Sequence, residues 1–104
     1  MIERLENIEK RYNEIMEEIT KPEVLGDIKK TMELSKEQSS LRENYEAYQE
    51  YKKVIENIKA AKELMKDPEM GEFAREEYQE NEEKRKQMEA DFEIMLLPKD
   101  PNDG

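Results

Sequence analysis

The chain has 104 residues, of which 35% are apolar and 44% charged, a net charge of −10, and neither histidine nor cysteine. That balance leaves room for one domain and excludes a thick globular core, favouring helices that each bury a single stripe. It also disfavours long-range attraction to nucleic acid and removes disulfide, thiol and imidazole chemistry.

The first predicted helix covers residues 2–20. Leu5, Ile8, Tyr12, Ile15 and Ile19 step by alternating threes and fours, which makes an apolar seam. Glu6 and Lys10 are spaced for an i,i+4 ion pair on the solvent side. The opening Met1-Ile2-Glu3-Arg4 carries charges where a signal peptide needs an apolar run, and no apolar run is long enough to span a membrane. A soluble, cytoplasmic chain is expected. Pro22 disfavours helical geometry at Lys21 and Gly26 follows, so Lys21 to Gly26 reads as a short connection that makes its flanking helices antiparallel neighbours.

The span 27–66 contains no proline or glycine and predicts one long central helix, roughly 60 Å at about 1.5 Å per residue. Asp27 is placed to cap it. Leu41, Tyr45, Tyr48, Ile55 and Ile58 form its apolar stripe, widened by Tyr51, Val54, Ala61 and Met65. Ser35-Lys36-Glu37-Gln38 also reads as a capping box, so a second start or a kink at Ser35 competes with continuity. Continuity is the favoured reading.

Asp67-Pro68-Glu69 combines an N-cap, a proline at the first helical position and an acidic first turn, predicting a third helix over 68–97. Its seam is Met70, Ala74, Tyr78, Asn81, Arg85, Met88, Phe92 and Met95. Asn81 and Arg85 interrupt that seam, so loose packing is expected in the middle. Glu80 with Lys84 and Glu82 with Lys86 are candidate i,i+4 pairs. From Glu69 to Glu93 there are ten acidic and four basic residues, the most negative stretch of the chain. Pro98 and Pro101 then favour an extended exit over 98–104, read as the start of a linker to a second domain. The fold class expected is all-α: an elongated antiparallel three-helix bundle or helical hairpin, residues 1–97, built on a long central helix.

Chemistry is sparse. Without histidine the Glu-x-x-His pairs of di-iron bundles cannot form, and there is no Gly-rich phosphate loop. Asp100-Pro101-Asn102-Asp103-Gly104 resembles a calcium loop only weakly, since its glycine comes one position early and the later glutamate is missing. No catalytic, cofactor-binding or metal-binding residue is assigned, no cofactor is expected, and the chain reads as non-enzymatic. Tyr45, Tyr48 and Tyr51 could stack bases, but Glu43, Glu46 and Glu50 would repel phosphates, so core packing is favoured. Met16, Met70, Met88 and Met95 could form an adaptable docking surface, with gap-filling in the seams the favoured reading. The acidic face of the third helix could meet a basic partner or simply solvate the domain.

Two stretches are less generic. Asp67-Pro68-Glu69-Met70, followed by Phe73-Ala74 and Glu77, and Leu96-Leu97-Pro98-Lys99-Asp100-Pro101 resemble the N-terminal domain of bacterial class-1 peptide chain release factors, in the form of the UAA/UAG-reading branch. Lys21-Pro22-Glu23-Val24 and Leu34-Ser35-Lys36-Glu37 are similar to that family's first connection and second-helix start. The resemblance spans the whole chain and is most specific in its last forty residues. It implies an accessory docking domain of a translation-termination factor that meets the stalk base of the large ribosomal subunit and takes part in the interplay with the recycling GTPase. The family's Gly-Gly-Gln ester-hydrolysis loop and Pro-x-Thr codon-reading tripeptide belong to later domains, and neither occurs here. No direct nucleic-acid contact and no membrane are expected, and ribosomal contacts should be with basic protein surface. The alternative is a free-standing acidic helical scaffold or adaptor that self-associates through its seams.

Overall fold

Two interior prolines, Pro22 and Pro68, punctuate the helical runs. The computed structural model describes residues 1–97, which are all-α: α1 spans Ile2–Glu18, α2 Pro22–Leu25, α3 Ile28–Leu64 and α4 Gly71–Met95. The chain divides into two compact units, one from Met1 to Gln49 and the other from Glu50 onward. The α3 helix supplies residues 28–49 to the first and 50–64 to the second. The linker expected at 98–104, with its Asp100–Gly104 segment, lies outside the described residues.

In the first unit α1 lies antiparallel to α3. Its seam behaves as the spacing predicts, with Leu5, Tyr12 and Ile15 buried and Ile8 and Ile19 half-buried. Ile15 packs in one cluster with Val24 and Leu34, edged by Ile19 and Leu41. The Tyr12 and Tyr45 rings stack at 4.0 Å between centroids and 17° between planes. Polar contacts frame this core. The Arg11 fork donates from Nε to Glu37 Oε2 at 2.6 Å and from Nη2 to Glu37 Oε1 at 2.7 Å, and Gln49 donates to Glu9 at 2.5 Å. The bond from Arg11, aided by its charge, holds the Glu37 carboxyl below its ordinary value, against desolvation that pushes it up.

The stretch expected to be a plain connection contains a helix of its own. Lys21 is extended, as the residue before a proline should be, and Pro22 then occupies the first position of α2. Proline both ends one helix and starts the next, and only the first half of that role was anticipated. Val24 is thereby turned into the core, and the Thr31 hydroxyl donates to its carbonyl at 2.6 Å, tying α2 to α3. The α3 helix starts as predicted, the Asp27 carboxylate accepting from the Lys30 amide at 3.1 Å. It runs unbroken through Ser35, despite the capping-box pattern of Ser35-Lys36-Glu37-Gln38.

In the second unit α3 and α4 form an antiparallel hairpin. Tyr51, Val54, Ile58 and Ala61 are buried on α3, facing a seam in which Ala74, Asn81 and Phe92 are buried, with Leu96 just beyond. Tyr51 meets Phe92 edge-to-face at 5.4 Å, and Lys62 lies over the Tyr78 ring. The third long helix begins at Gly71 instead of Pro68. The Asp67 carboxylate does accept from the Glu69 and Met70 amides, at 2.8 and 3.3 Å, but those amides belong to a separate turn. The first helical carbonyl acceptor is that of Met70. A Cβ added at Gly71 would lie 3.3 Å from the Met65 carbonyl oxygen, so the smallest residue lets α4 start close against the end of α3.

Replacing Ile15 by Ala should cost about 2–5 kcal/mol in urea unfolding, whereas the same change at exposed Met16 should stay within about 0.5 kcal/mol. Because the folded Glu37 carboxyl lies below its unfolded value, its contribution is present above pH about 4.5 and is lost as pH falls through the depressed folded value. Glu37→Gln should therefore lose less stability than the parent between about pH 6 and pH 3, read from denaturation midpoints.

Candidate docking surface

The middle of the α4 seam is polar, and it is not loose. Asn81 is buried on the core face, where its Nδ2 donates to the Glu77 carbonyl at 2.8 Å and its Oδ1 accepts from Asn57 at 3.4 Å. One turn further, Arg85 donates from Nε and Nη2 to Glu82 Oε2, at 3.1 and 2.6 Å, and from Nη1 to Glu89 Oε2 at 3.0 Å. The Tyr51 hydroxyl donates to that same Glu89 oxygen at 2.8 Å, so the network crosses from α3 to α4. No buried side-chain nitrogen or oxygen among the described residues lacks a partner. The expected looseness is replaced by a satisfied polar layer, because each interrupting side chain finds acceptors within one helical turn.

This layer also redistributes charge. Glu82 pairs with Arg85, three residues on, and not with Lys86; Arg85's planar fork outcompetes a flexible lysine. The bond from Arg85 holds the Glu82 carboxyl below its ordinary value, and desolvation opposes it. The expected Glu80–Lys84 and Glu6–Lys10 pairs are not formed among the described residues. Glu76, Glu77 and Glu80 form no ion pair among the described residues.

Closer to the turn the α3/α4 hairpin runs short of bulk. Beside the buried Ala61 and Ala74, exposed Ala60 on α3 leaves an open groove of about 310 Å³. Leu64 and Phe73 stand at its turn end, with Asn57 and Glu77 at the other. Ala61 and Ala74 are themselves buried, so the accessible wall is made by Ala60, Leu64 and Phe73, and Phe73, 56% exposed, does not fold over it. Sequence reading placed Phe73 in no seam and assigned it no site. The available signal was an aromatic residue beside small residues at 60, 61 and 74.

The features singled out from sequence separate cleanly. Tyr48 and Tyr51 are buried and Tyr45 is stacked on Tyr12, so these tyrosines are core and offer bases no platform. Met88 and Met95 are half-buried in the α4 seam, whereas Met16 and Met70 are exposed and fill no gap. Among the described residues no group of three or more His, Cys, Asp or Glu side chains is placed to hold a metal ion, and no helix is long and apolar enough to cross a membrane.

Residues 8–104 match the model of the PCRF domain. The chain belongs to that family. This PCRF domain is 45% identical to peptide chain release factor 1 of Oceanobacillus iheyensis, over 99% of the chain and 30% of that protein. It is 44% identical to peptide chain release factor 1 of Streptococcus pyogenes serotype M5, over 97% of the chain and 29% of that protein. The chain thus spans about 30% of the length of the curated relatives it matches. No solved structure matches it. These relatives give the free-standing adaptor reading no support.

The polar layer of this PCRF domain can be tested directly. Tyr51→Phe removes one donor to Glu89 while keeping the ring against Phe92, and should cost about 0.5–1.5 kcal/mol in urea unfolding. With Glu89→Gln, a double-mutant cycle should show coupling.

Proposed function

We propose that this PCRF domain is the N-terminal accessory domain of a bacterial class-1 release factor that terminates translation at UAA and UAG. Its role is to dock the factor on the stalk-base region of the large ribosomal subunit, with a second contact to the recycling GTPase. The carrying observation is the 44–45% identity to release factor 1 proteins over nearly the whole chain and only about 30% of theirs. The absence of Gly-Gly-Gln and Pro-x-Thr from the 104 residues supports a non-enzymatic part, with ester hydrolysis and codon reading supplied elsewhere in the factor. The net charge of −10 favours basic protein surface over RNA as the contact. A factor acting on bacterial ribosomes would act in the cytoplasm.

The test is peptide release from ribosomes stalled at UAA or UAG, using a full-length factor that carries these residues and the same factor lacking residues 1–97. The truncated factor should release peptide more slowly at limiting concentration, with the loss in kcat/KM. Equal rates would overturn the docking role. If Lys-to-Glu changes on the stalk-base protein left release unaltered while the truncation impaired it, the stalk-base contact would be wrong.

A further inference from the structure

We propose that the groove between α3 and α4 at Ala60, Leu64 and Phe73 is a docking site for a basic protein segment carrying a bulky apolar anchor. The proposal rests on the docking-domain reading for the existence of a partner, and adds the surface and the chemistry of what it takes. Three observations converge on it. The groove is open, with about 310 Å³ to fill, and sets an apolar wall beside the polar side chains of Asn57 and Glu77. Phe73 and Leu64 stand exposed at its end, offering a ring and an isobutyl group against which a leucine, methionine or phenylalanine side chain can be buried.

Charge supplies the third observation and selects the occupant. Glu76, Glu77 and Glu80 follow Phe73 by three, four and seven residues, so they line the same flank of α4. None has an ion-pair partner among the described residues. On the α3 side Lys53 pairs with Glu50 and Lys59 with Glu56. The nearest unpaired cation on that flank of α4 is Lys84, one turn beyond Glu80. A segment placing lysine or arginine one helical turn from its anchor meets these glutamates while the anchor enters the groove. A second copy of this chain would bring its own net charge of −10 to the contact, and nucleic acid its phosphates, so both are disfavoured.

The probe is a helical peptide of about fourteen residues, with leucines at i and i+4 flanked by lysines and arginines. Its control keeps the leucines and replaces every cation by glutamate. Binding to the 104-residue chain is followed by amide chemical shifts. The expected result is that the basic peptide shifts Ala60, Leu64, Phe73 and Glu77 and the acidic one does not. Phe73→Ala, and separately the combined change Glu76→Lys, Glu77→Lys and Glu80→Lys, should each weaken binding at least about tenfold. A charge-matched variant with Glu33→Lys, Glu43→Lys and Glu46→Lys, all exposed and in the first unit, should weaken it by less than about threefold. Equal loss in the two triple variants, or shifts elsewhere, would overturn the proposal. So would concentration-dependent dimerisation in sedimentation that Phe73→Ala abolishes, since the occupant would then be a second copy. Failure here is distinct from failure of the docking-domain reading, which turns on whether removing residues 1–97 slows release.

Discussion

Everything described hangs on α3 remaining one helix from Ile28 to Leu64. A helix of that length in a chain this charged is not held by propensity alone, since isolated helices in water are marginal and gain most of their stability from packing. Each unit contributes that packing separately. In the first, Leu34 and Leu41 are covered by the cluster around Ile15 and Val24. In the second, Tyr51, Val54, Ile58 and Ala61 are buried in a hairpin with α4. The absence of proline and glycine between Asp27 and Lys66 makes the continuous backbone cheap to form, and the two sets of contacts make it worth forming.

Polar groups specify what the apolar seams leave ambiguous. A seam of Ile, Leu, Tyr and Met tolerates slippage, because one bulky side chain substitutes for another. Arg11 on Glu37 and Gln49 on Glu9 fix which turn of α1 faces which turn of α3. Asn57 on Asn81 and Tyr51 on Glu89 do the same for α3 and α4. A buried asparagine in a helical seam sacrifices some hydrophobic stabilisation for register. The Arg85 fork adds a third polar tie within α4, holding Glu82 and Glu89, while Glu76, Glu77 and Glu80 keep their charge without an ion-pair partner.

Periodicity and capping chemistry made much of this legible. The α1 seam, the Asp27 start of α3 and the core placement of Tyr48 and Tyr51 follow from spacing alone. Misreadings arose where two local rules competed. Pro22 was read as a stop although proline is equally a first helical residue, so α2 went unseen. Asp67-Pro68 was read as the start of α4, although an aspartate carboxylate serves an isolated turn as readily as a helix. The i,i+4 rule named Lys86 as the partner of Glu82, while the bidentate fork of Arg85 one position nearer took it. The groove was invisible for a different reason. Concavity belongs to two helices at once, and Ala60, Ala61 and Ala74 look like ordinary helix formers until the two helices lie side by side.

Gly71 sets a limit on how this sequence can drift. At most surface positions of such a charged chain, exchange among Glu, Lys, Gln and Arg is nearly neutral, and lineages can accumulate differences without altering the fold. Position 71 has no such latitude. A Cβ there would stand 3.3 Å from the Met65 carbonyl oxygen, so that carbonyl must give by a few tenths of an ångström to admit a side chain. Phe73 and Ala74 lie two and three residues beyond that contact. Substitution at this one backbone-crowded site would thus bear on the start of α4 while leaving every residue that lines the groove unchanged.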